Sequence, residues 1–270
     1  MTGLKELVLA LRELDLPPGR PVIAHASLSA FGQVLGGADT LLEALLSEFP
    51  SLVMPAFTYK TMVFPEQGPP DNAVSYGSYQ DANLMAQFFR PSMPVDRLMG
   101  TTAEALRRHA STQRSMHPIL SFVGVNAGHA LAGQTLQEPL APIGWLVQAE
   151  GWVLLLGVDH TVNTSIHYAE RQAGRKQFIR WALTPQGVVQ CPAFPGCSDG
   201  FNAIAQHMAS FAHLAFVGET WIQAIPLMHL IRVARDLVKS DPLALLCNHT
   251  YCERCSTIRS LVERAQKQDE

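Results

Sequence analysis

The sequence predicts an α/β fold in one domain, a β-sheet flanked by helices and interrupted by one long inserted loop. Three observations carry this expectation. The run Trp152-Val153-Leu154-Leu155-Leu156 is short and fully apolar, as a buried strand should be. Near the start of the chain a strand, a glycine-bearing turn, a helix and a second strand follow in βαβ order. No repeat, low-complexity tract or clear linker divides the 270 residues, so 1–270 reads as a single domain. A composition of 47% hydrophobic and 16% charged residues suits a soluble globular chain with a sizeable core.

The elements follow in order. Apolar residues at helical spacing predict a helix over 4–14, ended by Pro17-Pro18-Gly19. Residues 21–26 read as a strand and 32–37 as a turn. A helix capped by Asp39 or Thr40 then runs to about 49; if Thr40 is the cap, Glu43 stands where a capping box needs it. Residues 51–54 read as a second buried strand, stopped by Pro55. Residues 58–97 carry Pro65, Gly68-Pro69-Pro70, Gly77 and Pro91. They are expected to form a long loop or lid with a helical turn or two over 83–89, and loops of that length are often functional. Beyond it the pattern predicts helix 102–108, strand 122–125, helix 144–149, strand 152–158 and helix 164–174. Residues 178–183 and 188–191 pair as a hairpin through Thr184-Pro185-Gln186-Gly187. Residues 222–237 and 257–266 read as helices.

A formal net charge of -3, with no basic stripe, argues against a nucleic-acid partner. The first residues, Met1-Thr2-Gly3-Leu4-Lys5-Glu6-Leu7, lack a basic region followed by an apolar one, so no signal peptide is expected. The apolar runs are too short to span a bilayer. The expected location is cytoplasmic, with no membrane partner. Five cysteines, an odd number, argue against a disulfide framework. Cys247-x4-Cys252-x2-Cys255, with His249 inside the span, has the residue types of a zinc site. A second CxxC pair is missing, so reduced thiols in a cysteine-bearing tail, 240–270, are the simpler reading and no metal is assigned.

Three segments have the residues for chemistry. Gly157-Val158-Asp159-His160 ends the strongest strand, and Asn163-Thr164 starts the next helix. Ligands in α/β proteins gather beyond the carboxyl ends of strands, where helix starts offer free N–H groups. His167 and Glu170, three apart, share one face of that helix, and a histidine beside a carboxylate suits general-base work. From spacing alone, a structural helical histidine with an exposed glutamate is the commoner outcome. His25-Ala26-Ser27-Leu28-Ser29 follows the first strand and suits close approach to a phosphate or pantetheine chain. Neither a P-loop nor a dinucleotide fingerprint is present. In Arg114-Ser115-Met116-His117-Pro118-Ile119-Leu120-Ser121-Phe122, Arg114 has the geometry for an anion; a surface arginine beside a turn histidine is the bland alternative.

Taken in order, these segments resemble the aminoglycoside 3-N-acetyltransferase family. The matching stretches are His25-x-Ser27-Leu28-Ser29 with Gly36-Gly37, Met99-Gly100-Thr101-Thr102-x-Glu104, Arg114-Ser115-x-His117-Pro118-x-x-Ser121-Phe122, Pro142-Ile143-Gly144, and Leu154-Leu155-Leu156-Gly157-Val158 leading to Asn163-Thr164-Ser165-Ile166-His167-Tyr168-Ala169-Glu170. The resemblance implies an antibiotic N-acetyltransferase-like fold with a central mixed sheet. It implies an enzyme, an acyltransferase that moves an acetyl group from acetyl-coenzyme A to the 3-amino group of an aminoglycoside, a basis of antibiotic resistance. His167 matches the catalytic histidine, with Thr164, Glu170 and Asp199 as further catalytic candidates; Asp199 looks like the orienting carboxylate, and either Asp199 or Glu170 would hold the ring's other nitrogen. His25, Ser27, Leu28, Ser29, Thr101, Arg114, Ser115, His117, Ser121 and Phe122 fall where the family holds coenzyme. Glu66, Asp71, Asp159 and Glu170 are the expected contacts of a polycationic small-molecule amine. A monomer or homodimer is expected. Two alternatives stay open: a different biosynthetic or metabolic amine as substrate, and a zinc-binding non-catalytic relative.

Overall fold

The computed structural model describes residues 1–268; residues 269–270, the end of the expected cysteine-bearing tail, lie outside the described residues. Among the described residues the strands are β1 (Val22–Ala26), β2 (Leu52–Pro55), β3 (Met62–Val63), β4 (Gln113–Arg114), β5 (Phe122–Val125), β6 (Trp152–Leu156), β7 (Phe178–Thr184), β8 (Gly187–Phe194), β9 (His213–Val217) and β10 (Thr220–Pro226). The helices are α1 (Leu4–Glu13), α2 (Gly37–Glu48), α3 (Gln80–Leu84), α4 (Gly100–Arg108), α5 (Gly128–Ala132), α6 (Ala141–Gln148), α7 (Ser165–Gln172), α8 (Ala205–Met208), α9 (Leu227–Ser240) and α10 (Glu253–Gln266). None is long and apolar enough to cross a membrane.

Seven strands form a mixed sheet in the order β4-β5-β2-β1-β6-β10-β9. β1 is central and runs parallel to both β2 and β6; against β6 the register runs from Val22 opposite Trp152 to Ala26 opposite Leu156. The outer pairings are antiparallel. A second sheet, β3-β7-β8, is the expected hairpin with a short added strand. The central strands are apolar throughout because both faces are covered. Val22, Ala24, Leu52, Met54, Leu154 and Leu156 meet Leu7, Leu41 and Leu106 of α1, α2 and α4. The alternating set, Ile23, Val53, Val153 and Leu155, meets Ile143, Ile166 and Leu230 of α6, α7 and α9.

Several boundaries differ from expectation for physical reasons. Residues 222–225 belong to β10 rather than to a helix: Ile222 and Ala224 are buried, Trp221 is exposed, and the strand pairs with β6. That two-residue alternation sits directly before the helical pattern of α9, whose cap is Pro226. α2 starts at Gly37 from a left-handed Gly36 at φ 75°, so Asp39 and Thr40 both lie inside the helix and the expected capping box does not form. Segment 58–97 is ordered by contacts within itself and to β7. Asn83 accepts from Phe64 N (2.7 Å) and donates to Phe64 O (2.8 Å), and Phe64 stacks on Tyr79 at 4.2 Å. Asn72 Oδ1 accepts from Ile179 N of β7 at 2.7 Å.

Candidate active site

The parallel arrangement of β1, β2 and β6 puts three carboxyl ends side by side, and a cleft of about 1120 Å³ opens there. Its walls include His25 and Ala26 of β1, Ser27, Leu28 and Ser29 just beyond, Thr101 near the start of α4, and Thr164 and His167 at the start of α7. Ser198, Asp199 and Arg254 close the far side. α7 begins where Asn163 Oδ1 accepts from Ser165 N at 3.2 Å. Asn163 thereby does the capping, and the side chain of Thr164 makes no cap bond.

His167 is buried, and its ring lines the cleft. Nδ1 pairs with Glu170 Oε2 at 2.7 Å, and the edge of Phe201 packs on the ring at 4.7 Å. Glu170 is 1% exposed, and its other oxygen accepts from Arg175 Nη1 at 2.5 Å. Arg175 Nη2 donates in turn to the carbonyls of Pro242 (2.8 Å) and Ala244 (2.6 Å). Sequence reasoning missed Arg175, although a signal exists. Gly174, at φ 84°, ends α7 in a Schellman turn: Arg175 N donates to Glu170 O and Gly174 N to Arg171 O, both at 3.0 Å. That turn folds Arg175 back over Glu170.

The remaining expected site residues divide. His25, Ser27, Leu28, Ser29 and Thr101 lie on the cleft wall with Thr164, His167 and Asp199. Asp199, however, has no hydrogen bond or ion pair with His167 among the described residues; its carboxylate stands 3.9 Å from His249 Nε2. Of the two carboxylates expected to hold the ring, Glu170 does so and Asp199 does not, which corrects the expectation for Asp199. Glu170 is in turn sealed from any substrate.

Arg114, Ser115, His117, Ser121 and Phe122 are not on the cleft wall either. Arg114 donates to Ser121 Oγ (3.1 Å), Pro91 O (3.0 Å), Met93 O and Ala56 O (2.9 Å), and lies over Phe89. Its donors are spent on carbonyls, which leaves no fork for an anion. Ser115 Oγ accepts from Phe122 N at 2.8 Å, Ser121 Oγ donates to Ala56 O at 2.7 Å, and Phe122 is core. Among the expected substrate contacts, Asp71 pairs with Arg264 at 2.8 Å, Asp159 accepts from Thr161 N at 2.9 Å, and Glu66 is exposed on the loop; none of the three reaches the wall. Tyr59 and Arg97 are the cleft residues that segment 58–97 supplies. Arg114→Met is expected to lower the thermal midpoint by several degrees and to leave coenzyme affinity within about twofold, since it strands buried carbonyls rather than a ligand. Thermal melts and calorimetric titration check both.

Three buried histidines carry a pH signature. Burial pushes His117 and His160 down to about 4, Asp159 partly opposing it at His160. Burial, then neighbouring His160, pushes His25 down to about 3. His117 Nδ1 accepts from Ile119 N (3.1 Å) and Leu120 N (2.9 Å), which needs the neutral ring. In the unfolded chain these rings take a proton near 6.5. Between that value and about 4 the unfolded state binds more protons, so stability is full above 6.5 and falls as pH drops. The slope is up to about 1.4 kcal/mol per pH unit for each ring. His117→Asn should flatten the fall of the thermal midpoint between pH 6.5 and 4; an unchanged slope would remove His117 from this account.

Comparison with known proteins decides the family. The family model described as aminoglycoside 3-N-acetyltransferase matches residues 23–239. The chain belongs to that family. Members are acyltransferases with acetyl-coenzyme A as co-substrate. The SPbeta prophage-derived aminoglycoside N(3')-acetyltransferase-like protein YokD of Bacillus subtilis is 33% identical over 177 residues, 63% of this chain and 65% of that protein, so the match spans just under two thirds of its length. Aminoglycoside N(3)-acetyltransferase VIII of Streptomyces fradiae is 29% identical over 260 residues, 86% of this chain and 88% of that one. Among solved structures, aminoglycoside acetyltransferase AAC(3)-IVa superposes with a TM-score of 0.78 at 24% identity, over 96% of this chain and 97% of that chain. The mixed α/β architecture of the family is therefore the one observed. A histidine-to-alanine mutant of AAC(3)-IVa has been solved in complex with a gentamicin, and AAC-IIIb as a binary complex with CoASH.

Proposed function

We propose that this chain transfers an acetyl group from acetyl-coenzyme A directly to the 3-amino group of an aminoglycoside, with His167 as general base. The observation that carries the reading is the buried relay His167–Glu170–Arg175, opening on a cleft at the carboxyl ends of the parallel strands. Glu170 accepts a hydrogen bond from Nδ1–H and so fixes the tautomer whose Nε2 lone pair is free. Nε2 takes a proton from the substrate amine as the nitrogen attacks the thioester carbonyl. The C–N bond forms, the C–S bond breaks, and the leaving thiolate takes that proton from the imidazolium, which restores the neutral ring. Thr164 stands beside His167 on the wall, where its hydroxyl can meet the carbonyl oxygen as negative charge develops. Ser27, Leu28, Ser29 and Thr101 hold the coenzyme, and Arg97 on the same wall suits its phosphates. The reaction belongs in the cytoplasm, where acetyl-coenzyme A is at hand.

A second reading has its own observation. The cleft wall carries one carboxylate, Asp199, beside two guanidinium groups, Arg97 and Arg254. That balance suits a less cationic amine than an aminoglycoside. Thiol release from acetyl-coenzyme A, measured with gentamicin, kanamycin and apramycin beside a panel of biosynthetic amines, separates the two. Turnover with the aminoglycosides supports the first. Turnover confined to other amines sinks it, while leaving the acetyltransferase chemistry intact.

A further inference from the structure

Cys197, Cys247, Cys252 and Cys255 converge from three stretches of chain: the loop after β8, the segment after α9, and the start of α10. Their Sγ atoms all lie within 4.8 Å of one another. Cys197, Cys247 and Cys255 are buried, Cys252 is half-buried, and all four are free thiols. We propose that these four sulfurs hold one structural zinc ion.

The geometry favours a single ion. Four thiolates at ~2.3 Å around a tetrahedral zinc stand roughly 3.8 Å apart, within the spacing seen here. A multi-iron cluster spreads its thiolates further. Four sulfurs close the coordination shell and leave no position for substrate, which makes the site structural. His249, the ligand anticipated from the spacing, stays outside: it faces Asp199 and stacks on Tyr251. Cys197 takes that place, and Asp199 N donates to its sulfur at 3.4 Å, the kind of outer contact that orients a ligand.

The packing supplies an independent reason. Over its 14 residues α10 fully buries only Cys255 and Ile258, with Val262 half-buried against the core, little apolar surface to anchor a helix of that length. A metal at its first turn provides the anchor. Through it the ion also fixes one cleft wall, since Ser198 and Asp199 follow Cys197, and Arg254, between two ligands, donates to Gly196 O at 2.9 Å.

The test uses the full chain, purified without a histidine tag or chelator, and reads metal rather than activity, so it stands or falls apart from the acetyl-transfer reading. Elemental analysis should find about one zinc per chain. Titration with a mercurial should release it in step with modification of four thiols. Cys252→Ser with Cys255→Ser should cut zinc to under about a tenth of that and lower the thermal midpoint, while Cys191→Ser keeps its zinc. Should the double variant not fold, the wild-type titration decides alone. Metal-free protein with reactive thiols, disulfides in the mass spectrum, or iron in place of zinc would each overturn the proposal.

Discussion

His167→Ala should lower kcat by about 10²–10⁴-fold while leaving coenzyme affinity nearly unchanged. The ring is buried with Nδ1 committed to Glu170, so what the substitution removes is the imidazole that lines the cleft there. The proposed coenzyme contacts, Ser27, Ser29 and Thr101, lie elsewhere on the wall and have no reason to change. Stopped-flow thiol release gives kcat, and calorimetry gives coenzyme binding. Glu170→Gln should produce a smaller loss of kcat, because an amide can hold the ring yet stabilises the imidazolium less. If His167→Ala turns over at the wild-type rate, another group is the base and the relay is structural.

How much of this was legible beforehand depends on the range of the interaction. The central strands were readable because burial on both faces leaves an uninterrupted apolar run, as in Trp152 to Leu156. β9, an edge strand alternating exposed and buried residues, was not read, and β10 was taken for helix because its alternation runs without a break into α9. The pair His167–Glu170 is a local i,i+3 contact, and spacing placed both on one face. Spacing could not say that the pair would be buried, since that is decided by Phe201 and Arg175, which the chain brings back from later in the sequence. Arg114 looked like an anion ligand for the same reason: its donors are satisfied by carbonyls of residues 56, 91 and 93, invisible from its neighbours. The cysteine cluster was half legible. Cys247, Cys252 and Cys255 are close in sequence, while Cys197 is fifty positions upstream of Cys247 and joins them only through the tertiary fold.

Arg175→Met should destabilise the protein by about 3–5 kcal/mol, which for a chain of this size is a fall in thermal midpoint on the order of 10 °C. The guanidinium and the Glu170 carboxylate are both 2% exposed at their side chains, and neither has water to fall back on. Removing the cation leaves a buried carboxylate with only a histidine for a partner, and strands the carbonyls of Pro242 and Ala244. The same change should alter catalysis in a particular direction. Without Arg175, Glu170 loses the hydrogen bond that holds its carboxylate against Nδ1, so kcat should fall more than KM rises. A double variant separates charge from packing. Adding Glu170→Gln to Arg175→Met removes the unpaired charge, and the pair should then be more stable than Arg175→Met alone by about 1–3 kcal/mol. Chemical denaturation of the four proteins measures the coupling. If the double variant is no more stable than the single one, Arg175 serves α7 by packing and its carbonyl contacts rather than by neutralising Glu170.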